Sequence, residues 1–111
     1  MSNEVAKQLA PIQQIGATPA ALLVTGGSKR DIVTSIHMLN TSAYSVTVTL
    51  YRVPSGHSVV TATKIYAVVL GAQEAWQWEG LRVLTAADAI YGEATAAAVV
   101  NIEIDGVEED V

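Results

Sequence analysis

The chain has 111 residues, no cysteine, no phenylalanine, only 15% charged residues and a formal net charge of −5. One domain with room for a core fits that length. The missing thiols exclude a disulfide framework or thiolate metal site, and the acidic balance excludes an electrostatic footprint for nucleic acid. Five of the eleven acids, Glu103, Asp105, Glu108, Glu109 and Asp110, crowd the last nine residues, so the body is near neutral. Ordinary soluble domains carry roughly 25% charged residues. A surface this short of charge is covered by uncharged polar groups or by another protein, which points to assembly.

Residues 1–20 read as an N-terminal arm, rich in amides (Asn3, Gln8, Gln13, Gln14) and punctuated by Pro11 and Pro19. Ser2 or Asn3 is placed to cap a short helix through Leu9, which Pro11 would end, with the rest extended. The first ten residues carry Glu4 and Lys7 and no apolar run, so no secretory signal is expected. The longest apolar runs fall short of a membrane span.

Residues 21–111 read as a β domain with an acidic C-terminal tail. Residues 21–24 form a short strand, closed by Thr25-Gly26-Gly27-Ser28. Residues 30–39 and 44–53 alternate with a period of two and predict a long hairpin joined at Asn40-Thr41-Ser42-Ala43. In its first strand Ile32, Thr34, Ile36 and Met38 share one face and Val33, Ser35, His37 and Leu39 the other. Pro54-Ser55-Gly56 turns the chain. Strands follow at 64–70, at 75–79 with Trp76 and Trp78 on one face, and at 81–84. A final pair is expected at 90–95 and 98–105, and Asp105-Gly106 turns into the tail. About eight strands in about ninety residues predict an all-β, antiparallel sandwich or jelly roll.

Chemistry-bearing residues are sparse. His57 sits beside Ser58, but no Gly-x-Ser-x-Gly motif or third group accompanies it, so a polar turn histidine is the reading. His37, in mid-strand, reads as a hydrogen-bonded or interface side chain. Thr25-Gly26-Gly27-Ser28-Lys29-Arg30 lacks the spacing of a phosphate loop and precedes a strand, so it reads as a turn with two exposed cations. Glu103, Asp105, Glu108 and Asp110 do not match the twelve-residue calcium loop and read as a solvated tail or as partners for a neighbour's arginine. Asn40-Thr41-Ser42 reads as a turn. Trp76 and Trp78 are the large aromatic payload, each able to bury about 150–250 Å² in a core or interface, or to stack on sugars. No catalytic residue, metal ligand or cofactor is expected.

Several segments carry a family resemblance. They are the strand from Ile32 to Asn40-Thr41-Ser42, then Ser45-Val46-Thr47-Val48-Thr49-Leu50-Tyr51, Val53-Pro54-Ser55-Gly56 and Leu70-Gly71-Ala72-Gln73-Glu74. Further on lie Leu81-Arg82-Val83-Leu84 and the closing segment Ala98-Val99-Val100-Asn101-Ile102-Glu103-Ile104-Asp105-Gly106-Val107-Glu108. Together they resemble the small β-sandwich virion proteins of tailed bacteriophages. Thr25-Gly26-Gly27-Ser28 departs from the Val-Pro-Ala-Gly frequent there, and Thr85-Ala86-Ala87-Asp88 lacks the usual glycine before its aspartate. The resemblance implies a non-enzymatic virion protein without cofactor. Capsid decoration or cement is the expected role, as a homotrimer bound to the major capsid protein. The alternative is a tail, baseplate or fibre protein with a glycan-binding face. Pro11, Ile12, Ile15, Trp76 and Trp78 are the expected partner contacts. Truncation of residues 1–20 is expected to leave a folded domain that no longer binds particles.

Overall fold

The structure, a computed structural model, describes residues 4–111. Eight strands follow one another: β1 (Glu4–Gln14), β2 (Ala20–Val24), β3 (Lys29–Asn40), β4 (Val46–Val53), β5 (Lys64–Leu70), β6 (Ala75–Leu84), β7 (Ala89–Ala94) and β8 (Val100–Asp110). A single 3₁₀ turn at Thr61–Thr63 precedes β5. The strands form two four-stranded antiparallel sheets, ordered β1-β8-β3-β6 and β2-β7-β4-β5. First pairs with last, second with seventh, third with sixth and fourth with fifth. A ribbon folded in this way and rolled into two layers is a jelly roll.

This order corrects the predicted hairpins. β3 and β4 lie in different sheets, as do β7 and β8, and β4 with β5 is the one consecutive pair that hydrogen-bonds among the described strands. Local alternation marks each strand but is blind to which strand it pairs with. Where the connection after β3 crosses between layers, the fully buried Asn40 fastens two backbone segments, its own connection and the end of β5. Its Nδ2 donates to the carbonyls of Tyr44 (2.8 Å), Leu70 (3.1 Å) and Gly71 (3.0 Å). Its Oδ1 accepts from the Ser42 N–H (3.0 Å) and hydroxyl (2.7 Å). Asp88 plays the same part at the β6–β7 connection, accepting from the N–H of Ser55 (2.9 Å), the N–H and hydroxyl of Thr85 (both 3.0 Å) and Arg52 (3.4 Å). Burial pushes the Asp88 carboxyl up, yet these donors outweigh it and hold it below its ordinary value.

The core lies between the layers, where Ile15, Val33, Ile36, Leu50, Leu84, Ile90 and Ile104 are wholly buried. β3 does not keep one face throughout. Asp31 and Val33 are buried, then Ile36, Met38 and Asn40, because Thr34 is an extra residue opposite β8 between Val33/Gly106 and Ser35/Asp105. The predicted shared face of Ile32, Thr34, Ile36 and Met38 is therefore split by a bulge. Gly106 fits that bulge: a Cβ there would overlap the Ile32 carbonyl.

Among its described residues, the segment read as an arm forms no helix. Residues 4–14 are the edge strand β1, paired along β8, with irregularities on either side of Ala10. The proposed cap at Ser2 or Asn3 lies outside the described residues. An amide-rich sequence forms a strand here because β8 offers a ladder for its backbone, and tertiary pairing overrides local propensity. The acidic tail is likewise a strand, between β1 and β3, and Asp105-Gly106 runs straight through it instead of turning. Its acids meet the chain's own cations: Glu108 with Lys7 (3.1 Å), Glu109 with Arg30 and Asp110 with Lys29. Lys29 and Arg30, expected as exposed turn cations, open β3 and are held by these pairs.

Candidate interaction surface

Strand alternation sends one set of side chains into the core and the other to the outer face of each sheet. On the first sheet the register sets these outer residues in rows across the strands. One row runs Gln77 (β6), His37 (β3), Glu103 (β8), and the next runs Glu79, Ser35, Asp105, Gln8. Beyond the first lie Ala75, Leu39 and Asn101, and beyond the second lie Val83, Ile32, Val107 and Ala6. An acidic belt thus sits between two apolar margins.

The belt is only partly neutralised. Gln8 Nε2 donates to Glu103 (2.7 Å), and Gln77 donates to Glu79. Burial pushes the Asp105 carboxyl above its ordinary value, and the Glu103 carboxylate adds to the rise while His37 opposes it. Arg30 is the full cation that the register places on this face among the described strands. It lies at the far end and pairs with Glu109. At one margin the surface dips into an open depression of about 460 Å³, lined by Ile12, His37, Leu39, Ala75, Gln77 and Glu103 among others. Ile12 is 64% exposed and Leu81, on the outer side of β6, is 72% exposed.

The expected contact residues separate. Ile12 and Trp76 border the same depression. Pro11 is exposed on β1. Ile15 is wholly buried and packs in the chain's own core, so as an anchor it holds its own domain together. Trp76 and Trp78 are half-buried against that core. The Tyr66 ring meets Trp76 edge-on at 5.6 Å and lies 6.3 Å from Trp78. The Arg82 guanidinium stacks 5.7 Å from Tyr66 and 5.6 Å from Trp78. This cluster closes the gap between the β5 and β6 edges, and Gly80 lies under the Trp78 ring, where a Cβ would come within 2.7 Å. Sugar stacking needs a free aromatic face, and the Trp78 ring already carries Arg82.

Sequence reasoning missed Ile32, Leu81, Val83 and Val107 as outer-face residues. The signal for β6 was the alternation of residues 76–84, hidden because Gly80 broke it into two short strands. For β3 the bulge reversed the parity. His57 and Ser58 lie exposed in the β4–β5 connection. Among the described residues no group of three or more histidines and acids stands in a metal-binding arrangement, and no helix is long and apolar enough to cross a membrane.

No protein-family model matches the chain, and neither does a curated protein. Solved structures do. All of the chain aligns with 91% of a subunit from work described as "Bacillus endospore appendages form a novel family of disulfide-linked pili", at 15% identity and a TM-score of 0.58. All of it also aligns with 94% of a chain from the "Acidic stable capsid structure of Helicobacter pylori bacteriophage KHP30", at 11% identity and a TM-score of 0.56. The likeness is one of fold. Both neighbours share this sandwich over nearly their whole lengths.

Proposed function

We propose that the chain is a non-enzymatic structural subunit of a bacteriophage virion, a decoration or cement protein that binds across subunits of the head. The observation that carries this reading is the jelly-roll strand order running from β1 to β8, in a chain that aligns end to end with a phage capsid chain. The pilus neighbour supports the broader part of it, a subunit built for assembly. Disulfide linkage of the kind named for those pili is not available here, since the sequence has no cysteine. Cohesion in this chain would come from surface contacts, each modest, multiplied by repetition and by a homotrimeric arrangement.

The proposed contacts are the outer face of the first sheet, with Ile12 and the margin of Trp76, and Pro11 beside it on β1. The major capsid protein is the proposed partner and the virion the proposed location. A rigid block suits the role. Its layers are joined by the buried Asn40 and Asp88 connections.

Quantitative mass spectrometry of purified particles, against the major capsid protein, tests this. Hundreds of copies per particle are expected. A handful would move the chain to the tail or a vertex, and absence would overturn a virion role.

A further inference from the structure

The outer face of the first sheet has a chemistry that selects its occupant. Glu103 and Asp105 stand on β8 in two successive rows, Glu79 shares the second row on β6 with Ser35 between it and Asp105, and the ionisable base in these rows is His37. Glu103 and Asp105 stand two residues apart on one strand, on the same side of the sheet, and like charges so placed repel. The apolar margins, Leu39 with Ile12 on one side and Ile32 with Val83 on the other, lie about seven residues apart along β3, or roughly 20 Å. A second copy of this face laid upon the first would set acid against acid, so self-association through it is disfavoured. Nucleic acid and anionic lipid meet the same repulsion. The complementary surface is cationic and bordered by apolar groups.

We infer that this face docks a lysine- or arginine-bearing extended segment of a different protein, its cations over the Glu79–Glu103–Asp105 belt, with apolar groups of that partner on either side of the segment meeting the flanking margins. The inference rests on the proposed structural role only for the source of that segment, a surface loop or strand of the shell. Four strands at about 4.8 Å spacing make the belt roughly 14 Å wide, which four or five extended residues cross. Alternation in such a segment would send cations down to the belt. Docking would pair Glu103 and Asp105 with external charge and relieve their mutual repulsion.

The experiment is a titration of the full chain with a fluorescent peptide of alternating lysine and valine, nine residues long, followed by anisotropy. A matched glutamate–valine peptide serves as the control. Wild type is expected to bind the lysine peptide, and to bind it about tenfold more weakly in 0.5 M than in 0.05 M salt. The Glu103→Gln/Asp105→Asn double variant is expected to weaken binding about tenfold at low salt. Glu93→Gln, which removes an acid from the other sheet, is expected to change it less than twofold. Equal binding by all three proteins, no binding by wild type, or equal affinity for the glutamate peptide would overturn the inference. The copy-number measurement fails separately. A chain absent from particles that still binds in this pattern loses the virion role and keeps the docking face. A chain abundant in particles whose peptide binding ignores Glu103 and Asp105 keeps the role and loses the face.

Discussion

On the second sheet, β4 and β7 turn Thr47, Thr49, Tyr51 and Glu93 outward, and the Tyr51 hydroxyl donates to Glu93. Beside them on β5 stand Ala67, Val69 and one cation, Lys64. That face is hydroxyl-rich and close to neutral. The outer face of the first sheet carries three carboxylates between apolar margins, and the one arginine on that face is already paired. The difference lies in which strand runs through the middle. β8 is flanked by β1 and β3, so its acids fall where the second sheet has threonines. A central strand rich in acid is an uncommon arrangement for stability alone, because adjacent carboxylates are costly wherever burial thins the water around them. It teaches that the first sheet is the face to interrogate.

The bluntest way to break the comparison is to delete residues 1–20. This strips β1 from the first sheet, bares the β8 edge, and removes Ala10 and Ile15 from the core. Loss of a buried isoleucine alone costs about 2–5 kcal/mol, against total stabilities of about 5–15 kcal/mol. Contrary to the expectation from sequence alone that the remainder stays folded, the truncated chain is expected to lose its cooperative thermal transition by circular dichroism. A sharp transition within a few degrees of wild type would show that β1 is dispensable.

A glycine in each sheet gives a finer contrast. Gly106→Ala drives a methyl into the Ile32 carbonyl, a backbone atom that cannot step aside, so a loss on the order of 4 kcal/mol is expected. Gly92→Ala in the second sheet meets the end of the Leu22 side chain at 2.7 Å, which can rotate, and roughly 1–2 kcal/mol is expected. Urea denaturation should reproduce that ordering. Equal losses would mean the β3 bulge does not hold the first sheet's shape.

Two buried aspartates separate by pH. Burial pushes the Asp31 carboxyl up, and Glu108 beside it adds to the rise, while the Thr25 hydroxyl, donating at 2.9 Å, opposes it. Its other oxygen, Oδ1, is buried without a hydrogen-bond donor. A raised folded value means a contribution fully present below pH 3.8 and lost as pH rises through that folded value. Asp31→Asn should therefore gain on wild type as pH rises from 4 to 8. Asp88, held below its ordinary value, contributes above pH 3.8 and loses that contribution as pH falls through its folded value. Asp88→Asn should cost about 2 kcal/mol at neutral pH and converge with wild type in acid. Urea midpoints measured from pH 3 to 8 check both slopes, and parallel curves would contradict the assignments.

Strand identity was readable in the sequence where alternation was clear, as in β4. The two-layer class followed from the number and spacing of those strands. Pairing partners were not readable, because alternation says which side chains share a face and nothing about which strand lies alongside. The Thr34 bulge shows the limit most clearly, since one extra residue exchanges the faces of Ile32 and Val33 without disturbing the local pattern. β1 was hidden by its composition, and the acids of β8 looked like a tail because their counter-ions, Lys7, Lys29 and Arg30, are roughly eighty or more residues away in sequence. One departure from the resembled family did carry information. Ala87, where a glycine is usual, adopts a φ of +65°, a left-handed conformation that glycine takes without strain. For the surface, the sequence named Ile12 and Trp76, which border one depression, whereas the acidic belt needed the register to bring Glu79 of β6 together with Glu103 and Asp105 of β8.

The central claim is that the first sheet, and not the second, receives the partner. Its most direct test is amide chemical-shift mapping of the full chain with the lysine–valine peptide. The account predicts shifts concentrated at His37, Gln77, Glu79, Glu103 and Asp105, with Thr47, Thr49 and Glu93 unmoved. Shifts centred on the second sheet, or spread evenly over both, would contradict it.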